Sequence, residues 1–321
     1  MTKNRTRRSI IVLVVLILLT IAAALVACVV GQVHATPHDV TNTILMSWGV
    51  KSDGTTPRIV TSTLWEVRFP RLVIALAVGA GLGCAGALLQ GIFANPLAEP
   101  SIIGVSSGGA VFASGLLAIA SLAGVERSYG FLKWGTALAA FIGALLTTLL
   151  VYSLSRVQGK TVVVNLILVG VAINAMAGGF VTLFSFIGGT MAQSQVVFWQ
   201  LGSLAGAGWS SAVITLIITV IGIVIACLCA PKMDLLALGE NQARHLGVNV
   251  ERFRLCVIIL VAALVGVGVA FAGVIAFVGL IVPHAIRLII GPQHKWLLPT
   301  SAFGGAFVLL VADTVSYTHL R

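Results

Sequence analysis

The chain of 321 residues is 59% hydrophobic and only 9% charged, and it carries a formal net charge of +10. Soluble domains contain roughly 25% charged residues, so this chain has too few polar side chains to cover a water-facing surface. The composition excludes an ordinary soluble domain and predicts an all-α polytopic membrane protein. The 35 glycines agree, because glycine is frequent in membrane helices. The length favours one large bundle over separate domains.

The first apolar segment, residues 9–30, contains no charged side chain over 22 positions. At about 1.5 Å per residue, such a helix spans a hydrocarbon core of roughly 30 Å. The basic residues 1–8 before it would also fit a cleaved signal peptide. However, the apolar run exceeds the ~7–15 residues of a signal-peptide core, and no small-x-small cleavage site follows. We therefore expect a retained anchor.

Eight further apolar stretches follow, so about nine spanning or re-entrant helices are expected within a membrane domain over residues 9–314. The stretch 255–290 is the hardest to divide, because Gly266, Gly268 and Gly273 each offer a break. The predicted stretches are 70–93, 101–123, 134–154, 162–187, 209–230, 255–272, 273–290 and 298–313.

The distribution of Lys and Arg indicates the orientation of the chain. With a cytoplasmic N-terminus and alternating spans, twelve of these residues fall in cytoplasmic segments and six outside, as the positive-inside rule requires. The net charge is thereby explained without a nucleic-acid partner. The five cysteines lie in or beside apolar segments, so we expect small buried side chains rather than a disulfide framework.

No catalytic or metal-binding constellation can be assembled from the few polar residues. Gly159-Lys160-Thr161 is similar to the end of a phosphate-binding loop, but that loop needs a glycine where this chain has Leu154. Cys227 and Cys229 lack a second pair of ligands. We therefore expect a non-catalytic chain that binds no metal and no other cofactor itself.

An apolar run is broken twice early in the chain, at Asn95-Pro96 and at Glu99-Pro100. Both prolines lack an amide donor, and each disfavours helical backbone in the residue before it. Irregular backbone is tolerated at the membrane interface or where protein buries it. We expect a rigid reversal at the cytoplasmic end, in which rigidity matters more than the charge of Glu99. The next helix should restart at Ser101, a good N-cap.

A charged segment, residues 234–254, lies between two apolar stretches and cannot span a membrane. Residues 238–246 predict one short amphipathic helix, which Gly247 closes as a C-cap. Its leucines suit docking to a cytoplasmic partner. A solvated loop explains the same pattern, and the pattern alone leaves the two interpretations open.

Five motifs occur in order between residues 65 and 313. They are RFPR at 68–71, NPLAEP at 95–100, WQLGSL at 199–204, LGENQARHLGV at 238–248 and FVGLIVPHAIR at 277–287. In this combination the chain resembles a permease of the FecCD type, the membrane subunit of type II ABC importers for iron–siderophores, haem and cobalamin.

The resemblance implies a fold of ten helices, a function and a set of partners. The chain would be the permease subunit of an ATP-driven importer in a bacterial plasma membrane. Two ATP-binding cassette subunits, which hold ATP and Mg²⁺, an extracytoplasmic substrate-binding protein and a second permease chain, identical or a sister subunit, are the implied partners beside membrane lipid. An iron–siderophore is the implied cargo, with haem or cobalamin as the alternatives.

The resemblance also implies roles for individual residues. Residues 234–248 would couple to the ATPase, two outside arginines would dock the binding protein, and the helices at 70–93 and 162–187 would line the path. The implied coupling residues are Asp234, Leu238, Gly239, Glu240, Ala243, Leu246 and Gly247, the docking residues are Arg68 and Arg71, and the reversal motif is Asn95, Pro96, Glu99 and Pro100.

An ion-gradient-driven secondary transporter is the alternative from another class. Such a protein uses intramembrane acids or histidines as relays, and almost none of these residues lie away from the ends of the predicted spans. An intramembrane enzyme, a third possibility, would need a buried cluster of His, Glu and Asp side chains, and the sequence does not indicate one.

The last residues depart from the family pattern. The motif A-D-x-x-A-R begins at Ala312-Asp313, but Tyr317 stands where the arginine is expected. We therefore treat residues 315–321 as an atypical tail. The last helix of the family fold is expected to be missing, which would leave the C-terminus outside.

Overall fold

The computed structural model describes residues 2–31, 33–50, 54–124 and 129–319. Over these residues the chain is helical apart from one β-hairpin and the connecting loops. The helices are α1 (Thr2–Val29), α2 (Pro37–Ser47), α3 (Arg58–Thr63), α4 (Phe69–Ile92), α5 (Val105–Leu122), α6 (Tyr129–Leu154), α7 (Val163–Ile187), α8 (Gly189–Gln200), α9 (Trp209–Leu236), α10 (Glu240–His245), α11 (Val250–Ala272), α12 (Val278–Ile290) and α13 (His294–His319), and the strands are β1 (Arg156–Val157) and β2 (Lys160–Thr161).

Eight of the described helices are long and apolar enough to cross a membrane, and α12 is a ninth, shorter apolar helix. The predicted all-α polytopic architecture of about nine helices is therefore confirmed. This shorter helix, α12, corresponds to the predicted stretch 273–290, of which the first five residues are not helical. A helix of thirteen residues is only ~20 Å long, which is less than a full span.

Helix α4 forms the centre of the bundle and packs against α9, α11, α12 and α13. Glycines make this packing close. A Cβ atom at Gly79 or Gly83 would lie 2.4 or 2.1 Å from a backbone oxygen of α13, and one at Gly86 would lie 1.8 Å from the Gly279 oxygen of α12. Small residues let membrane helices approach in this way. Helices α5, α6, α7 and α8 form a second group, which α11 joins to the first.

The division of residues 255–290 falls at Gly273, one of the three predicted breaks. Gly273 has φ of +71°, a conformation that favours glycine, and a Cβ there would lie 2.1 Å from the Trp199 oxygen. Gly266 and Gly268 remain inside α11. Phe277, with φ of +68°, ends the irregular stretch and begins α12.

The connection between α1 and α4 contains structure that the sequence did not predict. Helix α2 begins with a capping box, in which the Thr36 hydroxyl accepts from the Asp39 amide and the Asp39 carboxylate accepts from the Thr36 amide. Hydrogen bonds from the backbone and the side chain of Thr36 lower the pKa of Asp39. Helix α3 leads into a π-helical turn, Leu64–Arg68, which runs directly into α4.

The double-proline segment folds as a tight reversal between α4 and α5. The Asn95 side chain accepts from the Leu97 amide at 2.9 Å, which closes the first turn. Pro100 begins a 3₁₀ helix, Pro100–Ile103, and Gly104 follows with φ of +81°. The prediction that an α-helix restarts at Ser101 is therefore wrong, because α5 begins only at Val105.

The C-terminal helix continues beyond the predicted stretch 298–313. Residues 315–319 of the tail extend α13, while Leu320 and Arg321 lie outside the described residues. At the other end, α1 begins at Thr2, so that most of the basic segment 1–8 forms its first turns.

Candidate transport path and coupling region

A cavity of about 460 Å³ opens between α5, α7 and α8. Its polar groups are hydroxyls and amides, and none of the described residues that line it is charged. The Ser107 hydroxyl donates to Asn174 Oδ1 at 2.6 Å, and Asn174 Nδ2 donates to the Ser101 carbonyl at 3.1 Å. These two hydrogen bonds hold the 3₁₀ turn, α5 and α7 together on one side of the cavity.

A second cavity of about 490 Å³ extends this surface along α7 and onto α8. Both cavities are lined by Val181, Thr182 and Gln200. Gly178 lies on the same surface, and a Cβ atom placed there would meet no atom within 4 Å. One face of α7 therefore presents a continuous, uncharged, open surface.

The two helices predicted to line a transport path differ in exposure. Of residues Phe69–Ile92, all of which the structure describes, none is exposed. The prediction that α4 lines the path is therefore wrong, because other helices of the same chain cover it. Helix α7 is mostly exposed and has only four buried residues in its 25, which is compatible with the predicted role.

The predicted coupling segment forms a short helix, as the sequence indicated. Helix α10 covers Glu240–His245, and Gly247 follows with φ of +86°. Leu238 and Leu246 flank the helix and are 64% and 61% exposed, whereas Ala243 is fully buried. Gly239, with φ of +119°, lies directly before the helix. The segment thus presents an exposed leucine at each end of α10, while Ala243 packs into the protein.

Glu240 is 44% exposed, but one of its carboxylate oxygens reaches a buried cation. Its Oε1 atom lies 2.5 Å from a guanidinium nitrogen of Arg254, a side chain that is only 1% exposed. Arg254 also donates to the Thr161 carbonyl at 3.4 Å, and Glu251 accepts from the Thr161 amide at 3.1 Å and from its hydroxyl at 2.7 Å. Arg244 is more exposed and lies 3.6 Å from Glu240 and 3.7 Å from Glu251. These residues join α10, α11 and the β-hairpin.

The hairpin in this cluster occupies the position of the sequence that is similar to a phosphate-binding loop. Gln158 and Gly159 both have positive φ, 49° and 79°, and they form the two-residue turn between β1 and β2. Such a turn matches the twist of paired strands. Thr161 ends β2, and α7 begins two residues later, at Val163.

Asp234 lies at the end of α9 rather than on α10. Its Oδ1 atom accepts from the His294 amide at 2.9 Å and lies 2.7 Å from His294 Nδ1. It therefore caps the N-terminus of α13, where a carboxylate is favourable. The coupling role of Asp234 stays a prediction. Its side chain is 39% exposed, and its carboxylate already pairs with His294 within the chain.

Arg68 does not lie on the surface as a docking residue should. It is 5% exposed, and its guanidinium donates to the carbonyl oxygens of Cys28 at 2.7 Å, Val29 at 3.3 Å and Val33. A cation is favourable at the C-terminal end of a helix, here α1. The prediction of an exposed docking arginine at this position is wrong, because its charge serves to hold α1 against α4.

Arg71 is also paired inside the chain. Its Nε and Nη2 atoms each lie 2.8 Å from an Asp313 carboxylate oxygen, and both side chains are about 15% exposed, at 15% and 14%. This bidentate pair joins α4 to α13. The docking role of Arg71 stays a prediction: its end of the bundle is the one opposite α10, but its guanidinium is already paired with Asp313.

The reversal motif has a polar contact that the sequence did not indicate. The Glu99 carboxylate accepts from the Phe277 amide at 3.0 Å, at the start of α12. Pro100 lies 3.1 Å from the position of a Cβ at Gly279. Asn95 closes its turn as described, and Pro96 is exposed. The expectation that only rigidity matters here is incomplete, because Glu99 links the reversal to α12.

Three functional candidates were missed in the sequence: Arg254, His294 and Asn174. Arg254 offered a signal, since it begins a long apolar run, and a cation there needs a partner. His294 and Asn174 offered none, because their partners lie 60 and 67 residues away along the chain.

This arrangement defines a polytopic helical transport protein, and comparison with known proteins specifies its family. The model of the FecCD transport family matches residues 12–321. The chain belongs to this family of transport permeases, which confirms the resemblance to permease subunits of type II ABC importers.

Individual relatives cover most of the chain. The hemin transport system permease protein HmuU of Yersinia pestis is 38% identical over 257 residues, which are 79% of this chain and 75% of that protein. The cobalamin import system permease protein BtuC of Halobacterium salinarum is 39% identical over 250 residues, 78% of this chain and 65% of that protein.

A solved structure agrees with the fold. A transporter described as of the metal-chelate ABC type, in an inward-facing conformation, superposes with a TM-score of 0.78 at 31% identity, and the match covers 95% of this chain and 89% of that one. The fold is thus that of an ABC importer permease.

Proposed function

We propose that the chain is the path-forming permease subunit of an ATP-driven importer of metal chelates. The observation that carries this proposal is the open, uncharged surface on α7 and its neighbours, at one end of which α10 offers two exposed leucines. Family membership supplies the class of transporter. The surface would become one wall of the path, and α10 would receive the force of the ATPase.

The partners of the proposed importer follow from the same two surfaces. Leu238 and Leu246 would insert into a groove on a cytoplasmic ATPase subunit that holds ATP and Mg²⁺. A second permease chain would complete the path opposite α7, whose apolar side chains are exposed in the single chain. The N-terminus would lie in the cytoplasm, on the side of α10, and a substrate-binding protein would dock at the opposite end.

The cargo is proposed to be an iron–siderophore complex. The described residues of both cavities supply hydroxyls, amides and apolar groups but no carboxylate, imidazole or thiol, which are the groups that bind metals in proteins. The metal would therefore cross while fully enclosed by its chelator. Haem and cobalamin, which the names of the two relatives mention, meet the same condition and are the alternatives.

Two experiments test this proposal. First, the chain should co-purify with the ATPase subunit, and Leu238→Asp combined with Leu246→Asp should abolish the association, because it places charge at both exposed leucines of the coupling segment. A double variant that still binds the ATPase normally would refute the coupling assignment. Arg252→Gln, a neighbouring surface change, is the matched control.

The second experiment identifies the cargo. The complete importer in lipid vesicles should take up a ferric hydroxamate siderophore when ATP is supplied, with hemin and cobalamin tested in parallel. Preferential uptake of hemin or cobalamin would replace the siderophore assignment. Uptake driven by an ion gradient without ATP would overturn the proposed class.

A further inference from the structure

We propose that Glu240 and Arg254 form the mechanical link that carries movement of α10 to α7. In this proposal, which rests on the proposed function, both are positioning residues. Glu240 belongs to the coupling helix, but its carboxylate is directed at Arg254 of α11. Its role would be transmission inside the permease, while Leu238 and Leu246 make the contact with the partner.

The burial of Arg254 makes the link tight. The side chain is 1% exposed, and a buried charge that loses its partner is strongly unfavourable. Arg254 has a second carboxylate partner, Glu251, at 3.6 Å, but the Glu240 carboxylate is nearer, at 2.5 Å. When α10 moves, it therefore pulls on the Arg254 guanidinium through the shorter of the two ion pairs. Arg244 differs, because it is 39% exposed and lies 3.6 Å or more from its two carboxylates. Water can replace an exposed pair of that kind at little cost.

The link continues from Arg254 to the backbone that precedes α7. Arg254 donates to the Thr161 carbonyl, and Glu251 accepts from the Thr161 amide and hydroxyl. Both backbone polar groups of Thr161 are thus held by charged side chains of α11. Thr161 is followed by Val162, the N-cap residue of α7, which has no side-chain cap of its own. The start of α7 is therefore positioned by this cluster.

Helix α7 is able to respond to such a movement. It packs mainly against α5, with smaller contacts to α6, α8 and the 3₁₀ helix Pro100–Ile103, and it has no substantial contact with α4 or α13 among the described residues. A Cβ at Gly170 would lie 1.9 Å from the Ile102 oxygen, so the 3₁₀ helix must move together with α7. A displacement at Thr161 would be transmitted along this one continuous helix to Asn174 and Gly178, which line the cavity. Contiguous networks of hydrogen bonds and rigid helices are a physical route for such coupling.

The test uses the permease in complex with its ATPase subunit in lipid vesicles. Gly178→Cys on α7 and Leu228→Cys on α9 carry spin labels, and the five native cysteines are replaced by alanine. Leu228 is 74% exposed, and a Cβ at Gly178 meets no atom within 4 Å, so neither label disturbs packing within the chain. The distance between the labels is measured with and without ATP plus vanadate.

We expect ATP plus vanadate to shift this distance in the parent and in the matched control Arg244→Gln. In Glu240→Gln the fraction of molecules that shift should fall about tenfold, a typical size for coupling between sites. In the same variant, the amount of ATPase bound and the rate of ATP hydrolysis by the complex should stay at the parental level. A merely structural role would instead lower complex yield and hydrolysis together.

Other results have defined meanings. The inference is overturned if the distance between the labels shifts in Glu240→Gln as it does in the parent. It is also overturned if Arg244→Gln loses the shift to the same extent. Loss of ATPase association in Glu240→Gln would overturn it too, because Glu240 would then belong to the docking surface. If Glu240→Gln does not assemble with the ATPase, Glu251→Ala is used instead, because it removes the hydrogen bonds of Thr161 to Glu251. This variant must show the same loss of the distance change. Failure of the parent to bind any ATPase would instead refute the proposed function.

Discussion

Helices α4 and α7 have similar compositions, but α4 lies inside the bundle and α7 lies on its surface. Both are long, apolar and rich in small residues, and both were expected to line a path. In the structure no residue of α4 is exposed, whereas most of α7 is. Gly79, Gly83 and Gly86 of α4 lie against backbone atoms of α12 and α13, whereas a Cβ atom placed at Gly178 or Gly179 of α7 would meet no atom within 4 Å.

The contrast shows that small residues serve two purposes in one bundle. On α4 they permit backbone contact and build a rigid core. On α7, Gly170 also permits close contact, since a Cβ there would lie 1.9 Å from the Ile102 oxygen, whereas Gly178 and Gly179 leave an uncharged surface open. A glycine stripe therefore predicts close approach or open space, and only the positions of neighbouring helices decide between them.

The largest expected difference in stability is between valine substitutions at a packed glycine of α4 and at an open glycine of α7. A Cβ at Gly86 would lie 1.8 Å from the Gly279 carbonyl oxygen, and backbone on both sides leaves no easy relaxation. We expect Gly86→Val to lower the free energy of unfolding by about 3 kcal/mol or more and to reduce the folded yield in mild detergent. The matched variant Gly178→Val should change the free energy by no more than about 0.5 kcal/mol. Equal losses would mean that α7 is packed as tightly as α4.

The next effect concerns the charged anchor of α4. Because Arg71 and Asp313 form a bidentate pair that is largely buried, we expect Arg71→Gln or Asp313→Asn alone to destabilise the protein by about 2 kcal/mol. The double variant should lose less than the sum by about 1 kcal/mol or more, as measured by unfolding in mixed micelles. Additive losses would show that the pair does not join α4 to α13, and that Arg71 acts elsewhere.

The sequence predicted those features that depend on local physics. Apolar length specified the spans, and the leucines and Gly247 specified the short helix α10. Gly273 offered the correct break between α11 and α12, because positive φ favours glycine. The double-proline reversal was likewise visible, since prolines constrain their own and the preceding residue.

Long-range partners were not predictable in this way. Arg71 pairs with a residue 242 positions away, and Arg68 with carbonyls 35 to 40 positions away. A motif arginine near a helix end fits a docking role and an internal anchor equally well until the neighbouring helix is placed. For the same reason, the pattern around Glu240 indicated a short helix but not that its carboxylate pairs with Arg254.

A smaller effect is expected at the polar contact on the open face of α7. Asn174→Ala removes the hydrogen bonds to Ser107 and to the Ser101 carbonyl. Both groups border the cavity, so water can replace the amide, and the free energy of unfolding should fall by about 1 kcal/mol or less. ATP-driven uptake should change more than stability, because the wall of the path is altered. A stability loss as large as that of Gly86→Val would contradict the assignment of this face to an open cavity.

The smallest effect on the fold, and the sharpest separation of the two helices, is expected from cysteine labelling. Native Cys84 of α4 is fully buried, so an impermeant maleimide should not label it in a chain whose other cysteines are alanine. Gly178→Cys should react, because the reagent needs a thiolate and a thiolate forms in water rather than in hydrocarbon. Leu228→Cys on α9 separates water access from simple exposure, since Leu228 is exposed but lines neither cavity along α7. If Leu228→Cys reacts as fast as Gly178→Cys, exposure alone explains the labelling. The result would then contradict the assignment of the α7 face to the transport path.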